Sequence, residues 1–240
     1  MRWVMGYLSA LCVLVLIVSQ SVIFPTFFMP FYNRHYNRVD ANTGLTIPES
    51  INMTHENLMY VTTELLNYMR GRRDTLEGLT AYASGRRVYG QNFFTDTEIR
   101  HMIDVRVLYE RLYMVRNVSF FLLIALILGM ILLKYKVGRI LAKCIREVLV
   151  GFLIIAVIMT VIISLDFERS WDIFHYIFFR GDAAHYWRLT PYVDLMINMV
   201  PLHFFINISI FIGGLIAALS ACVITSCSMY LYKSKDRGFD

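Results

Sequence analysis

Long runs of apolar residues alternate with polar segments along this chain of 240 residues. A helix needs about 20 mostly apolar residues to cross the hydrocarbon core of a bilayer. Helices are expected because lipid offers no partner for unpaired backbone N–H and C=O groups. We predict four spanning helices, at residues 3–24, 118–133, 148–165 and 204–232.

The composition agrees with this pattern. Apolar residues make up 57% of the chain and charged residues only 17%, and the mean hydropathy is +0.53. Soluble domains carry about 25% charged residues, and disordered chains are richer still in charge. The first run is long and ends in Ser-Gln-Ser-Val-Ile-Phe-Pro, without an Ala-x-Ala cleavage site, which favours a retained span over a cleaved signal peptide. The fold class predicted is an all-α polytopic membrane protein.

Basic residues indicate the orientation of the spans. The segment 134–147 carries five cations, which places it in the cytoplasm by the positive-inside rule. The tail, 233–240, is basic as well. With four spans, both termini are then cytoplasmic, and two segments face outward: an extracellular cap at 25–117, between the first and second spans, and an interfacial aromatic segment at 166–203.

Sorting the charges by side explains the formal net charge of +5. The predicted outer segments sum to −1 and the predicted cytoplasmic segments to +6. The basic excess therefore matches anionic lipid headgroups, and no nucleic-acid partner is expected. The outer segments contain no cysteine, so no disulfide is expected in the cap.

The cap begins with turn-forming residues from Pro25 through Pro48, where little regular structure is expected. A helix is predicted from about Thr54 to a stop at Gly71. Its apolar positions follow helical spacing: Leu58, Val61, Leu65, Leu66 and Met69. The stretch 72–91 has no clear period and is expected to form a small hairpin or loop.

The clearest helix start in the chain lies at Thr95. Glu98 follows three residues later, the spacing of a capping box. No Pro or Gly interrupts the sequence from Asp96 to Phe121, so this helix is predicted to continue into the second span. His101 would lie in its second turn with Asp104 at i+3, where a carboxylate can orient an imidazole.

The second outer segment is rich in aromatic residues and repeats this spacing. Asp172 precedes His175 by three residues. Residues alone leave two interpretations of each histidine: a catalytic group, or a group that bonds water and headgroups within an aromatic belt.

Two sequence motifs favour the catalytic interpretation of the two histidines. EIRHMIDVR from Glu98 to Arg106, and FHYIFFRGD from Phe174 to Asp182, followed by LTPYVD and a proline before Phe204-Phe205, resemble the bacterial lipoprotein intramolecular transacylase family. The sequence departs from the family pattern at Leu202 and His203, where acidic residues are common, and at 183–186, which lengthen a turn.

The resemblance implies an acyltransferase without cofactor or metal. Its substrates would be diacylated lipoproteins, whose sn-2 acyl chain moves from glycerol to the α-amine of the N-terminal cysteine, giving the lyso-form. His101 and His175 would be the catalytic general acid and base, in either order. Asp104, Arg106 and Asp172 are candidates for orienting groups or for stabilising the oxyanion.

The resemblance also implies the setting of the reaction. A monomer in the bacterial cytoplasmic membrane is expected, surrounded by membrane lipid and with its active site facing outward. Aromatic side chains would form the substrate pocket and exclude water: Trp171, Phe174, Tyr176, Phe178, Phe179 and Trp187.

Other chemistries have less support. His55-Glu56 lacks the second histidine of an H-E-x-x-H zinc site, and Ser84 is not in a G-x-S-x-G elbow. A non-enzymatic scaffold that docks a partner through the cap is the alternative. The remaining histidines are expected at the surface or the membrane interface: His35, His55, His185 and His203.

Overall fold

A computed structural model of the chain describes residues 1–41, 43–80, 93–178, 189 and 194–236, and of His175, Phe178 and Asp236 it describes the backbone only. The described residues contain helices and no strands. In chain order they are α1 (Arg2–Thr26), α2 (Met29–Tyr36), α3 (Ile47–Ser50), α4 (His55–Met69), α5 (Asp96–Leu132), α6 (Val137–Leu165), α7 (Phe167–Phe178), α8 (Leu195–Met199) and α9 (Leu202–Asp236).

Four of these helices, α1, α5, α6 and α9, are long and apolar enough to cross a membrane. Many large apolar side chains on these helices are exposed, to an extent that is rare in water-soluble proteins. Phe121 is 67% exposed and Val157 is 64% exposed. Such side chains suit a hydrocarbon environment. The predicted all-α membrane protein with four spanning helices is confirmed.

The four long helices extend beyond the apolar segments that were predicted as spans. Helix α6 begins at Val137, so most of the basic segment predicted as a loop is helical, because Lys and Arg are good helix formers. The connection from α5 is tight. Lys134 has a φ of 55°, and the N–H groups of Lys134 and Tyr135 donate to the carbonyls of Ile131 and Met130, as in a Schellman motif.

The described residues divide into two compact units. The first unit comprises Met1–Phe24, Arg111–Ser170 and Ile210–Asp240, and the second comprises Pro25–Glu110 and Trp171–Ser209. In the first unit, Ala10, Met130, Ile140 and Cys144 form a buried cluster between α1, α5 and α6. Gly6 of α1 faces this cluster: a Cβ there would lie 2.7 Å from Ile140 Cγ2 and 2.8 Å from Cys144 Sγ. The missing side chain allows the two helices to approach.

In the second unit, α2 lies where the sequence indicated turns, so the expectation of little regular structure from Pro25 to Pro48 is wrong at Met29–Tyr36. Pro30 stands in the first turn of α2, where a proline costs no intrahelical hydrogen bond. The helix packs on α4, and the Tyr36 hydroxyl lies 2.8 Å from Thr62 Oγ1. Burial raises the pKa of Tyr36 to about 12, so its phenol keeps its proton.

Helix α4 confirms the predicted helix and its ends. Thr54 caps it by accepting from Asn57 N–H, and Gly71 has a φ of 71°. All five predicted apolar positions of α4 are buried. The sequence period thus identified the buried face correctly.

One backbone hydrogen bond links the residues that precede and follow 81–92 in the chain. Phe93 N–H donates to the Leu79 carbonyl over 2.7 Å. Leu76, Leu79, Phe93 and Phe94 are all buried around it. The start of α5 is therefore anchored in the core of the second unit.

A histidine lies in the same unit's interior. His35 is 7% exposed, although it was expected at the surface or interface. Its Nδ1 lies 3.2 Å from the Phe31 carbonyl, which can only accept, so Nδ1 carries the proton. Nε2 then accepts from the Asn207 side-chain amide over 3.1 Å. Both ring nitrogens thus have partners in the neutral form, and burial, with lesser contributions from His203, Arg38 and Arg34, lowers the pKa of His35.

We predict that Gly6→Val destabilises the first unit. The added side chain overlaps Ile140 and Cys144, and overpacking of this kind costs about 1–3 kcal/mol. Gly213→Val is the matched control, because nothing lies within 4 Å of a Cβ at that helical glycine. Thermal unfolding in detergent should show a lower midpoint for the Gly6 variant alone. Equal midpoints would refute this packing.

We predict that mild acid destabilises the second unit through His35. Since the folded pKa lies below the usual 6.5, the unfolded chain binds more protons between the two values, and stability falls as the pH decreases below 6.5. The thermal midpoint, measured at steps from pH 7.5 to 5, should lose much of this slope in His35→Gln. In His203→Gln, which changes an exposed imidazole, the slope should persist. An unchanged slope in His35→Gln would contradict the assignment.

Candidate active site

The site is built on the first turns of α5, where the predicted capping box is confirmed. Glu98 Oε2 accepts from the Thr95 N–H over 2.7 Å and from the Thr95 hydroxyl over 2.9 Å. In return, Glu98 N–H donates to Thr95 Oγ1 over 3.3 Å. The reciprocal bonds fix where the helix begins and so set the direction in which its second turn points.

The same carboxylate reaches a second helix. Glu98 Oε1 accepts from the N–H of Met196, in the first turn of α8, over 2.7 Å. Glu98 is 0% exposed, and Asp194, at the N-cap of α8, makes no side-chain capping bond of its own. Glu98 therefore satisfies backbone donors at the starts of two helices that lie about a hundred residues apart in sequence.

His101 lies one turn after Glu98, half-buried, with Asp104 half-buried three residues further along the same helix. Residues at i and i+3 share a helix side, so the structure places these two predicted site residues together on α5. The predicted continuity of this helix into the second span is confirmed, since α5 runs without a break from Asp96 to Leu132.

Arg106 lies on a different side of α5. Five residues from His101 correspond to roughly 140° around the helix axis. Its guanidinium is bonded to the Glu110 carboxylate at 2.9 Å and to the Arg73 carbonyl at 3.3 Å, and lies 4.9 Å from the Tyr68 ring centroid. These contacts join α5 to the end of α4 and the turn that follows.

The second predicted histidine lies on a helix. His175 and Asp172 are both in α7, so their spacing of three residues is helical, as the sequence required for pairing. The Asp172 side chain is exposed.

Two of the predicted pocket residues contact each other. The Trp171 and Phe174 rings stack with centroids 6.0 Å apart, and Trp171 also lies 4.9 Å from the ring of Phe205. Tyr176, on the same helix, is 73% exposed. The side chain of Phe178, and the whole of Phe179 and Trp187, lie outside the described residues.

The neighbouring Phe204 connects this aromatic group to α2. Its buried ring lies 5.1 Å from both Tyr32 and His35 and 5.3 Å from Phe31. The Phe204 and Phe205 rings lie edge to face with centroids 6.1 Å apart, and Phe205 contacts Trp171, so one dipeptide packs against α2 and α7. In the sequence, the Phe-Phe pair counted only as part of a motif; the available signal was an aromatic pair that begins three residues after Pro201.

The described residues can supply acid–base chemistry but hold no group of three His, Cys, Asp or Glu side chains arranged for a metal ion. They offer a half-buried imidazole beside a carboxylate on α5 and a second histidine on an aromatic helix. Such groups can transfer protons, and aromatic rings beside a reacting centre can limit the access of water.

Comparisons with known proteins give a family and a fold for this chain. A family model described as "Lipoprotein intramolecular transacylase Lit" matches residues 7–205. The search of curated proteins found no match. Three chains of known structure match, and they include the membrane-integral lipoprotein intramolecular transacylase Lit from Bacillus cereus, with a TM-score of 0.72, 18% identity and coverage of 99% of both chains.

Two of these structures are of variants of the Bacillus cereus protein in which a histidine is replaced, by arginine or by alanine. Each has a TM-score of 0.69 and 17% identity, with 99% of this chain covered and 94% or 96% of the other. At this identity the structures show a shared fold, and the family model assigns the family. The chain belongs to the lipoprotein intramolecular transacylase (Lit) family of membrane acyltransferases.

Proposed function

We propose that this protein converts diacylated lipoproteins to the lyso-form by moving the sn-2 acyl chain onto the α-amine of the N-terminal cysteine. The observation that carries the proposal is the family match, which spans both candidate histidines. A scaffold without activity, the alternative considered from the sequence, is disfavoured by membership of an enzyme family.

The reaction replaces an ester by an amide within one molecule. The cysteine nitrogen attacks the ester carbonyl, forming the N–C bond, and the bond from that carbon to the glyceryl oxygen breaks. The nitrogen loses a proton and the glyceryl oxygen gains one, so no water is consumed. Attack closes a ring of about eight atoms, which is slow without a template, and holding both ends together can supply several kcal/mol.

His101 and His175 are the proposed proton carriers. A cysteine α-amine titrates near 8 and a histidine near 6.5, so an imidazole can accept the amine proton near neutral pH. The other imidazole donates a proton to the departing glyceryl oxygen. Each transfer contributes about 10²–10⁴ in rate.

The neighbouring groups support these two steps. Asp104 shares the side of α5 that carries His101 and is proposed to orient it, and Asp172 is proposed to do the same on α7. Backbone N–H groups are the favoured oxyanion donors, since the Arg106 guanidinium is engaged by Glu110 and Arg73.

Aromatic side chains are proposed to line the substrate pocket. Trp171 and Phe174 stack beside Phe205, which gives an apolar surface suited to acyl chains. Tyr176, Phe178, Phe179 and Trp187 complete the proposed lining. Exclusion of water there would suppress ester hydrolysis, the main competing reaction.

The proposed setting is the cytoplasmic membrane of a bacterium, with the second unit outside and both termini in the cytoplasm. The segregation of charge, −1 in the proposed outer segments and +6 in the proposed inner ones, supports this orientation. An intramolecular transfer needs one enzyme and one substrate, and we propose that the protein acts as a monomer.

We predict that expression in cells that make diacylated lipoproteins places one acyl chain on the N-terminal nitrogen. Transfer leaves the total mass unchanged, so tandem mass spectrometry of the N-terminal lipopeptide must locate the chain. His101→Ala and His175→Ala should each lower N-acylation by about 10²–10⁴-fold. His55→Gln is the control, since His55 lies in the same unit and its bond to Asn33 can be kept by glutamine.

Two failures of this experiment have different meanings. Both acyl chains remaining on glycerol with well-expressed wild type would refute the function. Full activity in both alanine variants would refute the site while leaving the function intact.

We predict that a membrane-impermeant maleimide labels Glu77→Cys in intact cells and labels Lys235→Cys only after the cells are opened. Both positions are exposed, so access depends on the side of the membrane. The wild-type chain, measured in parallel, gives the background labelling that comes from the four native cysteines. The reverse result would invert the proposed topology.

A further inference from the structure

Glu98 makes more contacts than a capping residue requires. Three donors converge on its carboxylate: the Thr95 N–H and hydroxyl at Oε2 and the Met196 N–H at Oε1. The chain contains a second capping box for comparison. Glu49 accepts from the Thr46 N–H and hydroxyl over 2.7 Å, with the same spacing at the start of α3.

The two glutamates differ in their surroundings. Glu49 is exposed, and its carboxylate accepts from the N–H and hydroxyl of Thr46, at the start of its own helix. Glu98 is 0% exposed and bonds to a helix that follows 97 residues later in the chain. A buried carboxylate is costly unless its oxygens accept several hydrogen bonds, so this arrangement holds only while both helix starts stay in place.

The segment that Glu98 holds is otherwise well packed. Leu195, Met196 and Met199 of α8 are buried, and α8 packs against α3. The hydrogen bond between Glu98 and Met196 also fixes the distance between α8 and the turn of α5 that immediately precedes His101. One carboxylate therefore links the segment 194–200 to the turn that precedes the candidate histidine.

We infer that Glu98 is a positioning residue for acyl transfer, holding the α8 segment against the His101 turn through the Met196 N–H. The inference rests on the proposed function. Glu98 needs no contact with the substrate in this role; it fixes the spacing between the α8 segment and the turn of α5 that precedes His101. A displacement of about 1 Å in a site that works by orientation can cost on the order of 10²-fold in rate.

Two variants test the role. Glu98→Gln keeps the shape but presents an NH₂ group to at least one of the donors, because an amide has one acceptor oxygen. Glu98→Asp keeps the charge but is shorter by about 1.5 Å, the length of one C–C bond, so it cannot serve both helices. Glu49→Gln is the matched control, since it disrupts a capping box of the same geometry without a second helix.

Purified proteins should be compared in two measurements. Hydrogen exchange followed by mass spectrometry reports protection of peptides that contain Met196. Steady-state kinetics with a synthetic S-diacylglyceryl-cysteine lipopeptide give kcat and KM per folded enzyme, with folding checked by thermal unfolding. For both Glu98 variants we expect faster exchange at Met196 and a kcat lower by about 10- to 100-fold, with KM within about twofold of wild type. Glu49→Gln should change neither.

Several outcomes would overturn the inference. A Glu98 variant that folds and keeps wild-type kcat despite faster exchange shows that the contact has no part in the reaction. An equal loss of kcat in Glu49→Gln shows general destabilisation instead, and unchanged exchange at Met196 refutes the contact. Wild-type enzyme that forms no N-acyl product refutes the proposed function and the catalytic role together, while the exchange result still decides the contact.

Discussion

Satisfaction of backbone hydrogen bonds is the constraint on which this structure depends. Hydrocarbon supplies no partner for N–H and C=O groups, so the apolar parts of the chain are helices whose bonds close within each segment. Polar groups that must be buried elsewhere find partners by the same rule: His35 between Phe31 and Asn207, and Glu98 between Thr95 and Met196. The second unit, which contains no cysteine, is held by such bonds and by aromatic packing.

Aromatic residues have two functions in the second unit. Phe93, Phe94 and Phe204 are fully buried and form its core, whereas Phe174 and Tyr176 remain exposed on α7. In the proposed function, the exposed group supplies apolar area for a lipidated substrate. The proposed site combines a base that Glu98 holds in place with an apolar surface of a kind that water-soluble proteins rarely leave uncovered.

Features encoded by local spacing could be predicted from the sequence. The apolar period of α4, its stop at Gly71 and the capping box at Thr95 all depend on residues within one or two turns, and all are confirmed. Helix α2 was missed because prolines and asparagines in a short segment resemble turn chemistry, and its stability comes from packing against α4. Burial of His35 and the bond from Glu98 to Met196 depend on residues distant in sequence, for which one sequence carries no signal.

The hydrogen bond between Phe93 and Leu79 has a consequence for how this protein can diverge. It lies inside a buried apolar cluster, so the start of α5 is tied to Leu79 and to the side chains packed around it. Where the two ends of a flexible segment are already held together, doubling the length of the segment costs only about 0.6 kcal/mol. An insertion between Leu79 and Phe93 is therefore expected to leave the helix that carries His101 in place.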